Sequence, residues 1–474
     1  MPPEFGKEVD VKLLKLLICF ILLPTVAFSI QINVNGSSWK TWDDSLQQFA
    51  YESSYGKIIP MSDVVPILVQ EADTLRVTAA NGILEVVDPN SNLILKEGEW
   101  LLEGHETLGE ILSVEIEGEI LDSRSIEIWL DWEGISALKS IIARFGELHQ
   151  IEINVQEVPK AASKLRAIVR AGGRVPDIVM VSSSDIYDLV WEDAVQPLDY
   201  IDPINLSGRN SFTYNERLWA IPFYADTQLA LFNRKVVENI DGNWTLEEFE
   251  SISQNLGELA AGWNIYSAYW FVPFQLGFGK SSLIEDGELI ITDQPTISAL
   301  AYLVDKVRDG TFRTLERDAM VSLFAAGKTG IILSGSYMIP QLEEIDLDYG
   351  IVPFPFPLRP LLDYKGFSIA KKTRSPILAR QIIEHLTSVK IQQIFCENTY
   401  KIPANQSALK IIDLPEGMKR SMENGYPIPC SPLYGLYKNT MWKLLNLALS
   451  GKMEVGAVLE SGQEIIYENY EGME

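Results

Sequence analysis

Between Ser125 and Ser182 the apolar residues switch repeatedly between two periods, and this switching restricts the fold more than any other feature of the chain. Ile126, Ile128 and Leu130 alternate with other residues, as a strand requires. Ile135, Leu138, Ile141, Ile142, Phe145 and Leu148 then recur at helical spacing. Ile151, Ile153 and Val155 alternate again. Leu165, Ile168 and Val169 mark a second helix, stopped by Gly172-Gly173, and Pro176-Asp177 opens the apolar strand Ile178–Val181. Strand–helix–strand–helix–strand calls for a parallel, doubly wound sheet with right-handed crossovers. Ligands of such sheets lie beyond the carboxyl ends of the strands. Here those ends carry Asp131, Trp132, Glu133 and Gly134 on one strand, and Ser182, Ser183, Ser184 and Asp185 on another. The serines and Asp185 suit a second role, as caps of the helices that follow.

The stretch Arg217–Arg234, RLWAIPFYADTQLALFNR, follows. It contains two short apolar runs, Leu218–Ile221 and Leu229–Phe232, around the more polar Pro222–Gln228. One reading is a strand that leaves one sheet, crosses in the open with Tyr224 and Asp226, and enters a second sheet. The other is an ordinary β-hairpin; short apolar runs do not decide between them.

The 474 residues suffice for two or three domains, and 47% hydrophobic with 22% charged residues is a globular composition with a full core. A net charge of −26 repels nucleic acid and anionic lipid, so neither is expected as a partner. Residues 1–29 have the form of a signal peptide: Lys7, Lys12 and Lys15 precede the apolar run Leu16–Leu23, and Ala27-Phe28-Ser29 offers small residues for cleavage. The chain is therefore expected to be exported, to a periplasmic or extracellular place, or tethered to the membrane if the segment stays uncleaved. Beyond it only Cys396 and Cys430 remain, too few for a disulfide framework. His105, His149 and His385 are scattered without ligand spacing, so no metal site is expected, and no motif calls for a cofactor.

Residues 30–124 read as a β-rich accessory module. Ile30–Val34, Thr74–Thr78, Ile83–Val87 after Asn81-Gly82, Leu93–Leu95, Glu99–Leu102 and Ile111–Ile120 are its strands, with one helix near Thr41–Tyr55. Nothing in it carries chemistry. In the second half of the chain, Thr245-Leu246-Glu247-Glu248 is a capping box that opens a helix to about Leu259. Trp263–Phe278 is rich in aromatic residues. Gly327-Lys328-Thr329 echoes a phosphate loop, but it lacks the upstream glycine and lies between a helix and a strand, the reverse order. Tyr337 follows Gly335 just past the strand Ile331–Leu333. A tail helix spans Thr440–Leu449.

From about Ser125 to the end, the pieces IEIWLDWEG, PDIVMVSSSD, ERLWAIPFYADTQLALFNRKVV, WTLEEFE, LFAAGKTGIILSGSY, YGIVPFPFP, SPILARQIIEHLTS and IPAN stand in the order of a known family. Together they resemble an extracellular solute-binding protein of an ABC importer, of the maltose/oligosaccharide-binding type (family 1). The resemblance implies an α/β, two-lobed periplasmic-binding-protein fold, type II-like, here preceded by the small β-rich module. Residues 125–224 and 358–412 would form the first lobe, and 225–357 and 413–474 the second. Crossings would lie near Phe223–Gln228, Pro353–Leu358 and Ile411–Lys419. Cys396 and Cys430 would fall in different lobes and stay unpaired.

The function so implied is capture of a sugar or oligosaccharide in an interlobe cleft by a monomer that passes it to ABC transporter permease subunits, not an enzyme. The ligand would touch Asp131, Trp132, Glu133, Ser183, Ser184, Asp185, Tyr224, Asp226 and Tyr337, with Tyr269 and Trp270 where the family carries cleft aromatics, and Tyr434 and Tyr437 from the tail. Aromatic faces suit the C–H faces of sugars, and carboxylates accept hydrogen bonds from hydroxyls. Where the maltose-binding protein itself has an acidic and a basic residue after its third strand, this chain has Ser184 and Asp185, which puts maltose itself in doubt. Two alternatives stand. Asp131, Glu133, Asp185 and Asp226 would give a glycoside-processing enzyme its carboxylates, and the β-rich module would suit a cell-surface carbohydrate sensor.

Overall fold

The structure, a computed structural model, describes residues 29–471 apart from 54–55, 65–68, 85–90, 121–124 and 200–203. The expected signal segment therefore lies outside the described residues, as does the end of the strand expected at Ile83–Val87. The chain forms two compact units, one made of residues up to 124 together with 144–151, the other of 125–143 and 152–474.

The first unit is built from two sheets. One runs in the order Ser37–Trp42, Ile30–Val34, Ile111–Ile120, Val69–Ala79, Gly82–Leu84; the other in the order Tyr51–Ser53, Gly56–Pro60, Asn92–Lys96, Glu99–Leu102. Their inward residues, among them Ile30, Ile32, Trp42, Val77, Leu93, Trp100 and Val114, share one core with Leu46 from between the sheets' strands. The helix expected near Thr41–Tyr55 is not there. Asn35 and Gly36 both adopt positive φ, +50° and +74°, which closes a tight hairpin and makes Ser37–Trp42 a strand paired with Ile30–Val34. Trp42, Leu46 and Phe49 do have helical spacing, but only a short 3-10 helix, Asp44–Phe49, forms before the next strand.

In the second unit, Ser125–Leu130 pairs in parallel with Glu152–Glu157 on one side and Ile178–Ser182 on the other, with the helices Ile135–His149 and Ala161–Ala171 between them. This is the expected strand–helix alternation. The next strand, Leu361–Ile369, comes from far down the chain and runs antiparallel. Beside it lies the 13-residue strand Ile221–Asn233, every residue of which is buried. Its first half pairs with Leu361–Ile369; its second half pairs with Ile331–Gly335 and Tyr349–Val352. One strand thus belongs to both lobes of a two-lobed α/β fold.

Pro222–Gln228 is accordingly not an open crossing. It stays hydrogen-bonded and buried, kinked by a register shift between Pro222 and Tyr224. The hairpin reading also fails for Pro222–Gln228: Ile221–Asn233 runs through it as one strand, and the small hairpin beside it joins Thr213–Tyr214 to Arg217–Leu218, the start of the stretch. The capping box forms as expected, with Thr245 Oγ1 accepting from the Glu248 N–H and the Glu248 carboxylate accepting from the Thr245 N–H, at the head of the helix Leu246–Leu256. The tail helix begins earlier than expected and spans Pro432–Leu449, because Ser431 caps it and Pro432 fits its first turn. Cys396 and Cys430 are both free.

Candidate functional site

Two strand ends and the shared strand converge on a cavity of about 240 Å³. Trp132 and Glu133 come from the loop after Ser125–Leu130. Asp226 comes from the middle of the shared strand, and Asp363 and Lys365 from its neighbour. Tyr337 follows the strand Ile331–Gly335 of the other lobe, and Asn264, Ser267, Tyr269, Trp270, Arg317 and Met320 complete the lining. The four aromatic residues Trp132, Tyr269, Trp270 and Tyr337 therefore surround one space. Trp270 is buried and stacks on Phe354 with an interplanar angle of 7°, and it also shows a face to the cavity. Tyr269 meets Trp270 edge-on.

Trp132 is held in an uncommon backbone conformation, φ +74°. A bulky residue in the left-handed region costs about 1–3 kcal/mol and persists only where the surroundings enforce it. Asp131 supplies part of that constraint. One of its oxygens accepts from the Trp132 N–H at 2.9 Å and the other from the Ala161 N–H at 3.0 Å, tying the loop to the start of the next helix. Asp131 thus positions Trp132 and does not line the cavity.

The floor is charged and balanced. The Lys365 ammonium is buried, 2.6 Å from Asp363 Oδ2, and lies 4.1 Å from the Trp132 ring centroid. Lys401, also buried, donates to Asp226 Oδ1 at 2.6 Å and sits 3.8 Å from Glu133 Oε2. Ser336 Oγ donates to the same Asp226 oxygen at 2.7 Å. Across the opening, Arg317 of the second lobe reaches Glu133 of the first at 3.2 Å and lies 4.9 Å from the centre of the Tyr337 ring. A cation over a ring face contributes roughly 0.5–2 kcal/mol, more as water is excluded. Burial, reinforced by the Asp363 charge, holds the Tyr269 hydroxyl far above its usual range, so it is a hydrogen-bond donor at any working pH.

The other expected site residues fall elsewhere. Ser184 bonds back to Ser182 and Asp185. Ser183 and Tyr224 are buried behind the site, and the Tyr224 ring packs on Phe223 and Phe395 with the Lys401 ammonium 5.2 Å from its centroid. Among the described residues their hydroxyls have no hydrogen-bond partner. Asp185 lies at the rim, 4.0 Å from Lys438, and burial raises its pKa against the pull of Lys438 and Lys365. Tyr434 and Tyr437 do not line the cavity. They stack on one another in the core, where the Tyr437 hydroxyl donates to Gln275, because helical spacing puts both on the inner face of Pro432–Leu449.

Asp363, Lys365, Lys401 and Arg317 were not expected from the sequence. A signal exists for the first two. In LLDYKGFSI two opposite charges stand two residues apart, on one face of an otherwise apolar strand. Lys401 and Arg317 have no comparable local mark. No group of residues suited to a metal ion occurs among the described residues.

Known proteins resemble this chain. The galactooligosaccharide-binding protein of Bacillus subtilis (strain 168) is 22% identical over 306 residues, 59% of this chain and 72% of the relative. The maltotriose-binding protein of Pyrococcus abyssi (strain GE5 / Orsay) is 22% identical over 352 residues, 68% of this chain and 76% of that one. Among solved structures, the maltotriose-binding protein of Thermus thermophilus bound with maltotriose superposes with a TM-score of 0.65 at 21% identity, covering 73% of this chain and all of that one. The maltose-binding periplasmic protein MalE of Listeria monocytogenes, in complex with maltose, gives 0.63 at 16% identity over 73% and 98%. At such identities the superpositions show the fold. The profile of the bacterial extracellular solute-binding proteins matches residues 140–420. That span exceeds half of the 474 residues, and the chain belongs to the bacterial extracellular solute-binding protein family.

Proposed function

We propose that this protein captures a sugar, of oligosaccharide class, in the cavity between its lobes and presents it to the membrane permease of an ABC importer. The observation that carries the reading is the ring of Trp132, Tyr269, Trp270 and Tyr337 around a space floored by Asp226, Asp363 and Lys365. Flat apolar walls with a few fixed polar groups match the two chemistries of a sugar, its C–H faces and its hydroxyls. The relatives named for oligosaccharide binding support it. The protein acts as a monomer, exported through its N-terminal segment and, if that segment is retained, tethered by it.

Binding without turnover is favoured over glycoside hydrolysis by what the carboxylates do. Glu133 is engaged by Arg317 and Lys401, Asp226 by Lys401, and Asp363 by Lys365. A hydrolase needs a carboxyl pair free to act on the glycosidic bond from two sides; here every carboxylate of the cavity is committed to a cation of the protein.

A thermal-shift screen over mono- and oligosaccharides tests the reading, since a ligand at 100 times its dissociation constant adds about 2.7 kcal/mol to stability. Calorimetry with the hit should then show Trp132→Ala and Tyr337→Ala each losing about 1–3 kcal/mol of affinity while remaining folded. If no sugar of the panel raises the melting temperature, or if both variants bind as tightly as the parent, the reading is wrong. Products from a labelled oligosaccharide would argue for the hydrolase instead.

A further inference from the structure

A second cavity, of about 300 Å³, lies between residues 353–360 and the end of the helix Glu416–Glu423. Residues 353–360 join Tyr349–Val352, paired with the second half of the shared strand, to Leu361–Ile369, paired with its first half. The two cavities have no lining residue in common. Trp270, which lines the first, stacks on Phe354, which lines the second. Phe356, beside it, is 72% exposed. Its backbone is nonetheless fixed: its N–H donates to the Trp244 carbonyl at 3.0 Å, and its carbonyl accepts from the Leu246 N–H at 2.7 Å. A held backbone thus keeps a large apolar ring in water, surface that an occupant of the cavity would bury.

The polar lining is Arg359, Arg420, Ser421, Glu423 and Asn424. Arg420 is committed to Glu416 at 2.9 Å and to the Asn243 carboxamide at 2.7 Å. Arg359 lies 5.9 Å from the centre of the Tyr426 ring, and among the described residues neither it nor Glu423 has an ion-pair partner. Ser421 is 1% exposed, and its Oγ has no hydrogen-bond partner among the described residues. By contrast Ser211, also helical, donates to the Ser207 carbonyl one turn earlier. A buried hydroxyl without a partner is costly, and an occupant supplies the partner that the chain does not.

We propose that this cavity binds an apolar amino acid or dipeptide, with its carboxylate on Arg359, its ammonium on Glu423, a polar backbone atom on Ser421 and its side chain against Phe354 and Phe356. An unpaired cation and an unpaired anion lining one small cavity suit a molecule that carries both charges. The aromatic wall calls for an apolar body on that molecule, which excludes a simple ion. The proposal does not depend on the sugar reading, because the two sites share no residue.

Isothermal titration of the full chain with L-phenylalanine and with L-leucyl-L-leucine tests this. At least one should bind, and glycine should not. Amidation of the binder's carboxylate should weaken it about tenfold, as loss of a charge-assisted pair with the half-buried Arg359 requires. Acetylation of its ammonium should weaken it about threefold, because Glu423 is exposed. Arg359→Gln should weaken the free binder about tenfold and bind the amide as the parent does. Ser421→Ala should weaken binding without lowering the melting temperature, since it removes a hydroxyl that bonds to nothing in the chain. Failure of both probes to bind the parent would overturn the proposal. So would equal affinity for free and blocked forms, which marks an apolar cleft only, or unchanged binding by a folded Arg359→Gln. Full displacement of the probe by a saturating sugar would put the probe in the first cavity and overturn it as well. None of these outcomes bears on whether the first cavity takes a sugar.

Discussion

Replacing Lys401 by methionine would strand a buried charge at the cleft floor, and the consequence can be worked from the geometry. The Lys401 ammonium lies 2.6 Å from Asp226 Oδ1, with the two side chains 1% and 4% exposed. At an effective dielectric constant of about 20, opposite charges at that distance attract by roughly 6 kcal/mol. Much of this offsets the cost of taking both ions out of water. Methionine replaces most of the lysine stem, so the packing loss is small. What remains is a carboxylate whose cation is gone, with Ser336 Oγ still donating to it at 2.7 Å. Stranding a buried charge in this way costs about 3–5 kcal/mol. With an unfolding entropy near 2.1 cal/mol/K per residue over the roughly 350 residues from Ser125 onward, the melting temperature should fall by about 4–7 °C. Differential scanning calorimetry of the ligand-free protein at neutral pH measures it. The double variant Lys401→Met, Asp226→Leu should recover at least half of the loss, because neither ion is then left alone, and Glu133 keeps Arg317 at 3.2 Å. A single variant that melts within about 1 °C of the parent would refute the argument. It would mean that water or rearrangement already solvates Asp226.

Two further outcomes are expected. In the first unit, burial raises the Asp63 carboxyl from 3.8 to about 6, opposed by the Arg144 guanidinium and the Tyr51 hydroxyl. Its folded value lies above its unfolded one, so the stability it contributes is present below about pH 4 and is lost as pH rises through 6; the difference corresponds to roughly 3 kcal/mol. Asp63→Asn should therefore stabilise this unit in melts at pH 7.5 and change it little at pH 4, and an equal effect at both would contradict the assignment. At the cleft mouth, Arg317→Ala removes the pair with Glu133 that joins the lobes. Arg317 is well exposed, so the pair is worth about 0.2–1 kcal/mol and the open population should rise by no more than about fivefold. Small-angle scattering should show a larger ligand-free radius for the variant and equal radii at saturating sugar; identical ligand-free curves would count against a latch.

The alternation of strand and helix from Ser125 to Ser182 was legible from the sequence because period alone separates the two, and each segment is long enough to show it. The capping box at Thr245 and the loop at Asp131–Gly134 were legible for a related reason: each depends on residues within one turn of the chain. The same locality made Trp132 a candidate, since a parallel strand must open its ligand edge at its carboxyl end. By contrast, Thr41–Tyr55 misled because spacing at Trp42, Leu46 and Phe49 suits a helix, while the turn at Asn35-Gly36, outside that window, decides for a strand.

What only the tertiary structure decided is everything that depends on pairing across the chain. Ile221–Asn233 is continuous and buried because Leu361–Ile369 and Ile331–Gly335 flank it from about 100 residues away or more, and no local pattern encodes those neighbours. The charges at the cleft floor follow from the same fact. Asp226 meets Lys401 175 residues later, and Glu133 meets Arg317 184 residues later. Each charged residue alone reads as a surface group. For Asp226 and Lys401 burial makes the two a pair, and burial is a property of the assembled sheets; the exposed Arg317 reaches Glu133 only because the two lobes face each other. Tyr434 and Tyr437 show the converse: a tyrosine looks the same in sequence whether its ring faces a ligand or a core. Only the packing of the tail helix put these two inside and left Trp442 out in water.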